Sequence, residues 1–172
     1  IIERVKSVPI KKEIIIVDDG STDNTKNILK KLEDNPALKV IYQEKNYGKG
    51  YAIRTALKYI TGDVVIIQDA DLEYSPEEYP ELLKPIAMGL AEVVYGSREL
   101  KKHRPSYLRY HYGGKIVTFI TNLLYGTNLT DEPSGYKVFK SEVLKNINLH
   151  CRGFEFCPEV TAKVLKKGKK IY

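Results

Sequence analysis

Short apolar runs alternate with helix-period stretches from the start of the chain to about residue 95. Residues 13–17 (EIIIV) are β-branched and apolar on both alternations, the pattern of a parallel strand covered on both faces. The run ends in Asp18-Asp19-Gly20-Ser21, where Thr22 or Asp23 can cap a helix reaching about residue 33. Leu38–Tyr42 predicts a second strand, and Ile53, Ala56, Leu57 and Ile60 share one face of the helix that follows it. Residues 63–68 (DVVIIQ) predict a third strand running into Asp69-Ala70-Asp71. Pro76 suits a first helical position, with Glu77 and Glu78 in the favoured acidic first turn. That helix ends near Met88-Gly89, and residues 92–95 predict a fourth strand. This alternation predicts an α/β fold, a mostly parallel central sheet flanked by helices on both faces, with right-handed crossovers. Such sheets bind ligands beyond the carboxyl ends of their strands, where both acidic turns, 18–19 and 69–71, fall.

Past Gly96 the rhythm changes. A basic loop over 97–107 leads to a predicted helix over 108–124 that carries Ile116, Val117, Phe119, Ile120, Leu123 and Leu124. A strand is predicted over 136–139 and a helix over 159–166. No linker, repeat or low-complexity tract interrupts the chain, so residues 1–172 read as one domain.

Composition narrows the class. At 42% hydrophobic and 29% charged residues the chain is of ordinary globular type. No apolar run nears the roughly 18 residues of a membrane span, and no leader pattern opens the chain. Cys151 and Cys157 are too few for a disulfide framework or a four-ligand zinc site, so a reducing, cytoplasmic setting is the expectation. The 28 Lys+Arg exceed the 22 Asp+Glu, for a net charge of +6. Much of the excess lies in Arg98, Lys101, Lys102, Arg104, Arg109 and Lys115, interleaved with Tyr107, Tyr110 and Tyr112 and opposed only by Glu99. A patch of this kind attracts phosphate. The lysines at 163–170 read as a solvated face.

The acidic turns carry the candidate chemistry. Asp69 and Asp71, two residues apart at a strand end and followed by Glu73, can converge on one hard divalent cation, or simply form a polar turn. Asp18 and Asp19 can accept hydrogen bonds from a base or ribose, beside the helix-capping role of their neighbours. Gly48-Lys49-Gly50 completes neither GxGxxG nor GxxxxGK[ST]; Lys49 stands near a helix start, where it touches a nucleotide or is merely solvated.

The segments IIIVDDGSTDNT, NYGKGYAIRTAL, GDVVIIQDADLEYSP, YGSR, TDEPSGYKVF and FEFCPEV, in this order and over nearly the whole chain, resemble family 2 glycosyltransferases of the GT-A fold. Among them the dolichyl- or polyprenyl-phosphate sugar synthases are the most similar branch. The resemblance implies metal-dependent, inverting transfer of a hexose from a nucleotide sugar, UDP-glucose or GDP-mannose, to a polyprenyl or dolichyl phosphate. Carried onto this chain, it makes Asp69, Asp71 and Glu73 the ligands of Mn²⁺ or Mg²⁺ and Asp19, with Asp18, the nucleoside contacts; Asp69 and Lys49 are the further candidates for nucleotide contact. Asp131 matches the acidic residue near the acceptor. Arg98 and Lys137 are the first choices for cations at the reacting phosphates, Arg104 and Arg109 the second, on the acceptor. Residues 1–96 then form a nucleotide-binding half and 97–172 an acceptor-binding half. Family members open with a strand that this chain lacks and continue past its end, so truncation at both ends is the expectation. Ser134-Gly135-Tyr136-Lys137 stands where the family has Ser-Gly-Phe-Arg; lysine keeps the charge and loses the bidentate geometry.

The acceptor decides what else the site needs. A sugar hydroxyl requires a general base, the role Asp131 would take. A lipid phosphate is already anionic and requires cations instead, with Asp131 orienting Lys137 or Arg98. Metal at Asp69 and Asp71 would stabilise the departing diphosphate as a Lewis acid. A lipid acceptor also implies peripheral contact with the cytoplasmic membrane face, with helix 108–124 at the interface; the other reading of that helix is a core element. Rival functions are transfer to a hydroxyl in glycan or cell-envelope synthesis and a catalytically silent phosphate-binding domain. A phosphatase lacks its later motif here, and a polysaccharide synthase its tryptophan. Nucleic acid is not an expected partner, because acidic strand ends repel a phosphate backbone unless a metal intervenes.

Overall fold

The computed structural model describes the backbone of residues 1–100 and 108–172, and the side chains of 1–100 and 112–172. The chain divides into two compact units that interleave in sequence: Ile1–Pro9, Val64–Ile147 and Cys157–Tyr172 form one, Ile10–Asp63 and Asn148–Phe156 the other.

In the second unit, β1 (Ile14–Asp18) and β2 (Leu38–Tyr42) pair in parallel, from Ile14 against Leu38 to Asp18 against Tyr42. Between them runs α2 (Thr25–Lys30), which buries Leu29. The helix α3 (Lys49–Leu57) packs on β1. The parallel pairing is as predicted, but Ile14–Val17 are only half-buried, not covered on both faces. Among the described residues β1 is hydrogen-bonded along one edge only, so less of it is enclosed than a central strand would be. Gly48, at φ 96°, turns the chain into α3 where a Cβ would meet the Arg152 carbonyl oxygen at 2.5 Å, so no larger residue fits there.

The first unit opens with a short helix, α1 (Ile2–Ser7), and is built on three strands. β3 (Val64–Ile67) and β4 (Val93–Tyr95) flank β5 (Lys137–Lys140), which runs antiparallel to both. The α/β class holds, and β3 and β4 share a direction. β5 opposes them because its first residue, Lys137, pairs with the last residues of both neighbours, Ile67 and Tyr95. The connection delivers the chain at their carboxyl ends, something the apolar pattern of a strand cannot encode. The core gathers where β5 is covered on both faces: Val93, Val138, Phe139, Leu144, Val160 and Val164 are fully buried. Pro76–Glu78 is a 3-10 turn that leads into α4 (Tyr79–Ala87). A second such turn, Arg98–Leu100, precedes α5 (Leu108–Tyr125). α6 (Ser141–Lys145), which the pattern did not predict, and α7 (Phe156–Lys166) complete the chain. Cys151 and Cys157 are free and buried.

α5 is inverted with respect to an ordinary core helix. Among its described side chains, 112–125, the buried positions are Thr118 and Thr121, while Ile116, Phe119, Ile120, Leu123 and Leu124 are exposed. The Thr118 hydroxyl donates to the Gly114 carbonyl and accepts the Glu132 N–H, so the inward face is held by hydrogen bonds. The core-helix reading of 108–124 therefore fails. No helix among the described residues is long and apolar enough to cross a membrane.

Candidate active site

The acidic turn predicted at 69–71 leaves the carboxyl end of β3. Gln68, the residue after that strand, anchors it. Its Oε1 accepts the hydroxyls of Tyr79 (3.0 Å) and Tyr136 (2.9 Å), and its Nε2 donates to the Asp69 carbonyl (2.9 Å). The Asp69 carboxylate lies against Gly135, where an added Cβ would stand 2.6 Å from Oδ2. The Gly135 N–H donates to the Tyr74 hydroxyl at 2.8 Å. Asp71 Oδ1 accepts the Glu73 N–H at 2.9 Å, which closes the turn. Burial raises the pKa of Tyr74, and pushes that of Tyr79 up to about 12. All these tyrosine hydroxyls are therefore protonated donors or acceptors at neutral pH.

Asp69 and Asp71 offer hard oxygen donors, the chemistry that suits Mg²⁺ or Mn²⁺. No group of three His, Cys, Asp or Glu gathers among the described residues, so the expected trio with Glu73 is not assembled. Glu73 instead faces Arg98, with Oε1 3.5 Å from Nη1. One or two carboxylates with the remaining positions left to phosphate oxygens is the usual arrangement for a diphosphate-bound Mg²⁺, and the residues present fit that arrangement.

Arg98 and Asp131 form a three-bonded polar pair. Arg98 N–H and Nε donate to Asp131 Oδ2 at 3.0 and 2.9 Å, and Nη2 donates to Oδ1 at 3.0 Å. The Asp131 side chain is 7% exposed, whereas that of Arg98 is 38% exposed. Hydrogen bonding to Asp131 raises the Arg98 pKa further, so this cation persists at every working pH.

Lys137 departs from expectation. Predicted to face phosphate, it is 1% exposed, donates from Nζ to the Glu132 carbonyl at 2.6 Å and stands 3.6 Å from the Tyr95 ring centroid. The cause is its strand: β5 is covered on both faces, so its side chains are enclosed. Lys137 Nζ thereby braces the Glu132 backbone. Arg104 lies outside the described residues, as does the side chain of Arg109.

The second unit holds the other acidic turn. Asp18 Oδ1 accepts the Ser21 N–H at 3.0 Å, while its buried Oδ2 has no hydrogen-bond partner. Both Asp19 oxygens accept backbone N–H groups, of Tyr47 and Gly48, at 2.8 Å. Gln43, just past β2, is buried with neither amide atom bonded, and nothing in the sequence pattern had singled it out. Buried polar groups are as a rule satisfied, so orphaned ones mark places where a ligand or water belongs. At the start of α3 the N–H groups of Gly50 and Tyr51 donate to the carbonyls of Gly153 and Arg152.

Comparison with known proteins settles the lineage. The family model for glycosyl transferase family 2 matches residues 1–147. The chain belongs to that family. It is 35% identical over 178 residues to the UDP-N-acetylglucosamine–dolichyl-phosphate N-acetylglucosaminyltransferase of Methanococcus voltae, covering 92% of this chain and 70% of the relative. It is 31% identical to the dolichol-phosphate mannosyltransferase of Pyrococcus furiosus, covering 88% and 44%. Identity is also 31% to the low-salt glycan biosynthesis hexosyltransferase Agl6 of Haloferax volcanii, covering 91% and 38%. The chain thus spans well under two thirds of the length of two of these three relatives. In fold it is similar to glucosyl-3-phosphoglycerate synthase from Mycobacterium tuberculosis, solved with Mn²⁺, UDP and glucosyl-3-phosphoglycerate. The TM-score is 0.64 at 22% identity, over 90% of this chain and 55% of that one. The α/β architecture is therefore of the GT-A type.

Proposed function

We propose that this family 2 domain transfers a hexose from a nucleotide sugar to a polyprenyl phosphate, with a divalent metal and with inversion at the anomeric carbon. The observation that carries the reading is the Arg98–Asp131 pair. Both oxygens of Asp131 are engaged by one guanidinium, so Asp131 is not a free base poised for a hydroxyl acceptor. A phosphate acceptor needs no base. It needs a permanent cation held in place, and Arg98, locked by Asp131 and still partly open to solvent, is one. The dolichyl-phosphate substrates in the names of the Methanococcus and Pyrococcus relatives support the same acceptor class.

In this reading Asp69 and Asp71 hold Mn²⁺ or Mg²⁺, which when bound offsets the charge that builds on the departing diphosphate. Arg98 holds the acceptor phosphate in line for a single displacement, and Asp131 keeps the guanidinium oriented. Asp18, with its free Oδ2, receives the nucleoside. The exposed apolar face of α5 lies on the membrane that holds the acceptor, with Tyr112 and Lys115 toward its headgroups.

The test is the pH dependence of transfer in two variants. Arg98→Ala should lower kcat/KM for the lipid phosphate by about 10²-fold or more. The wild-type profile should carry no acid limb that Asp131→Asn removes. Such a limb, together with an indifferent Arg98→Ala, would make Asp131 the base for a hydroxyl acceptor and overturn the proposal.

A further inference from the structure

Asp69 meets Gln68 at its backbone and Gly135 at its carboxylate. On its backbone side, the Gln68 amide holds the Asp69 carbonyl while two tyrosine hydroxyls, from Tyr79 on α4 and Tyr136 beside β5, hold the amide oxygen. The three bonds use each polar atom of Gln68 in one orientation. The carbonyl can only accept, so Nε2 must face it and Oε1 must face both hydroxyls. On its side-chain side, the Asp69 carboxylate occupies the space that a Cβ on Gly135 would take, 2.6 Å from Oδ2 and 2.7 Å from Cε2 of Tyr74. Gly135 is not at positive φ, so its backbone would accept alanine, and what excludes a side chain is contact with Asp69 and Tyr74. Tyr74 closes the arrangement by accepting the Gly135 N–H, and its ring packs 4.6 Å from that of Tyr136.

We infer that Gln68 and Gly135 are positioning residues that set the Asp69 carboxylate for a divalent cation. Gln68 relays the anchorage of α4 and β5 to the Asp69 backbone, and Gly135 leaves open the volume that the carboxylate occupies. Supporting groups of this kind tune metal sites: their loss weakens metal binding by about 10–100-fold. The inference rests on the reading of Asp69 as a metal ligand, and deepens it.

The experiment is titration of Mn²⁺ into the chain with excess UDP or GDP, following free Mn²⁺ by electron paramagnetic resonance, with a thermal melt on each variant. Gly135→Ala should weaken Mn²⁺ binding by about tenfold or more, and should add nothing further in an Asp69→Ala background, because its effect passes through Asp69. The second variant replaces the whole polar cluster by apolar groups of similar shape: Gln68→Met with Tyr79→Phe and Tyr136→Phe. Removing the amide and both hydroxyls together leaves only the part-buried Asp69 carbonyl without its donor, so the fold should survive while Mn²⁺ affinity falls by a similar factor. Wild-type binding that persists in both Gly135→Ala and the triple variant overturns the inference alone. Effects of Gly135→Ala and Asp69→Ala that simply add would also overturn it, by making Gly135 a packing residue. No Mn²⁺ binding by the wild type, with either nucleotide, removes the metal reading and the inference with it.

Discussion

Tyr79 and Tyr136 are the residues through which the acidic turn reports on its surroundings. Burial pushes the Tyr79 hydroxyl up to about 12, and raises that of Tyr136 as well. A folded pKa above the unfolded value of about 10 means that the unfolded chain loses its proton first as pH rises. Stability contributed by the neutral hydroxyl is present below pH 10 and is lost as pH climbs toward 12. The slope for one such group is at most about 1.4 kcal/mol per pH unit. Urea unfolding of wild type and Tyr79→Phe between pH 9 and 11.5 should show the wild type losing stability more steeply above pH 10; parallel curves would contradict the assignment. The metal-binding candidates were legible at this scale, since two aspartates after an apolar run announce themselves. Gln68, Tyr74 and Gly135 were not. Their importance arises from contacts across more than sixty residues of sequence, such as Tyr136 to Gln68 and Gly135 to Tyr74, which no local spacing records. Lys137 misled in the opposite sense, because its charge suggested exposure while its strand dictated enclosure.

Among the elements, α5 carries the most information. At about 100° per residue, its exposed apolar positions from Val117 to Leu124 sweep an arc of roughly 160°. A seam against one partner helix is a narrower stripe, whereas a plane of lipid accommodates the wide one. Tyr112 and Lys115, also exposed, stand at the amino-terminal side of the arc, as an interfacial helix requires. Co-sedimentation with vesicles containing anionic lipid should retain the wild type and lose most of a Phe119→Asp, Leu123→Asp double variant, whose melting temperature should be unchanged because both side chains are outside the core. Equal retention of the two would contradict membrane docking through this face. The alternation of strands and helices was legible because each buried element imposes its own period. The reversed direction of β5 and the partial exposure of β1 were not, because both depend on which strands meet, and an apolar run is the same in either direction.

For the whole molecule, membership of glycosyl transferase family 2 and the GT-A type architecture frame the two interleaved units. The unit with β1 and β2 holds the orphaned acceptor of Asp18 and the amide of Gln43. The unit built on β3, β5 and β4 holds the carboxylates of Asp69 and Asp71 and the Arg98–Asp131 pair. What most directly tests the account is a competition for acceptor. The chain is given UDP-glucose or GDP-mannose and Mn²⁺ with vesicles that hold equal amounts of a polyprenyl phosphate and the matching polyprenol, and the lipids are weighed by mass spectrometry. The account predicts one new species, the polyprenyl phosphate heavier by a hexose, formed with one of the two donors and absent in Arg98→Ala. A hexose on the polyprenol, or on the phosphate at an undiminished rate in Arg98→Ala, would contradict it.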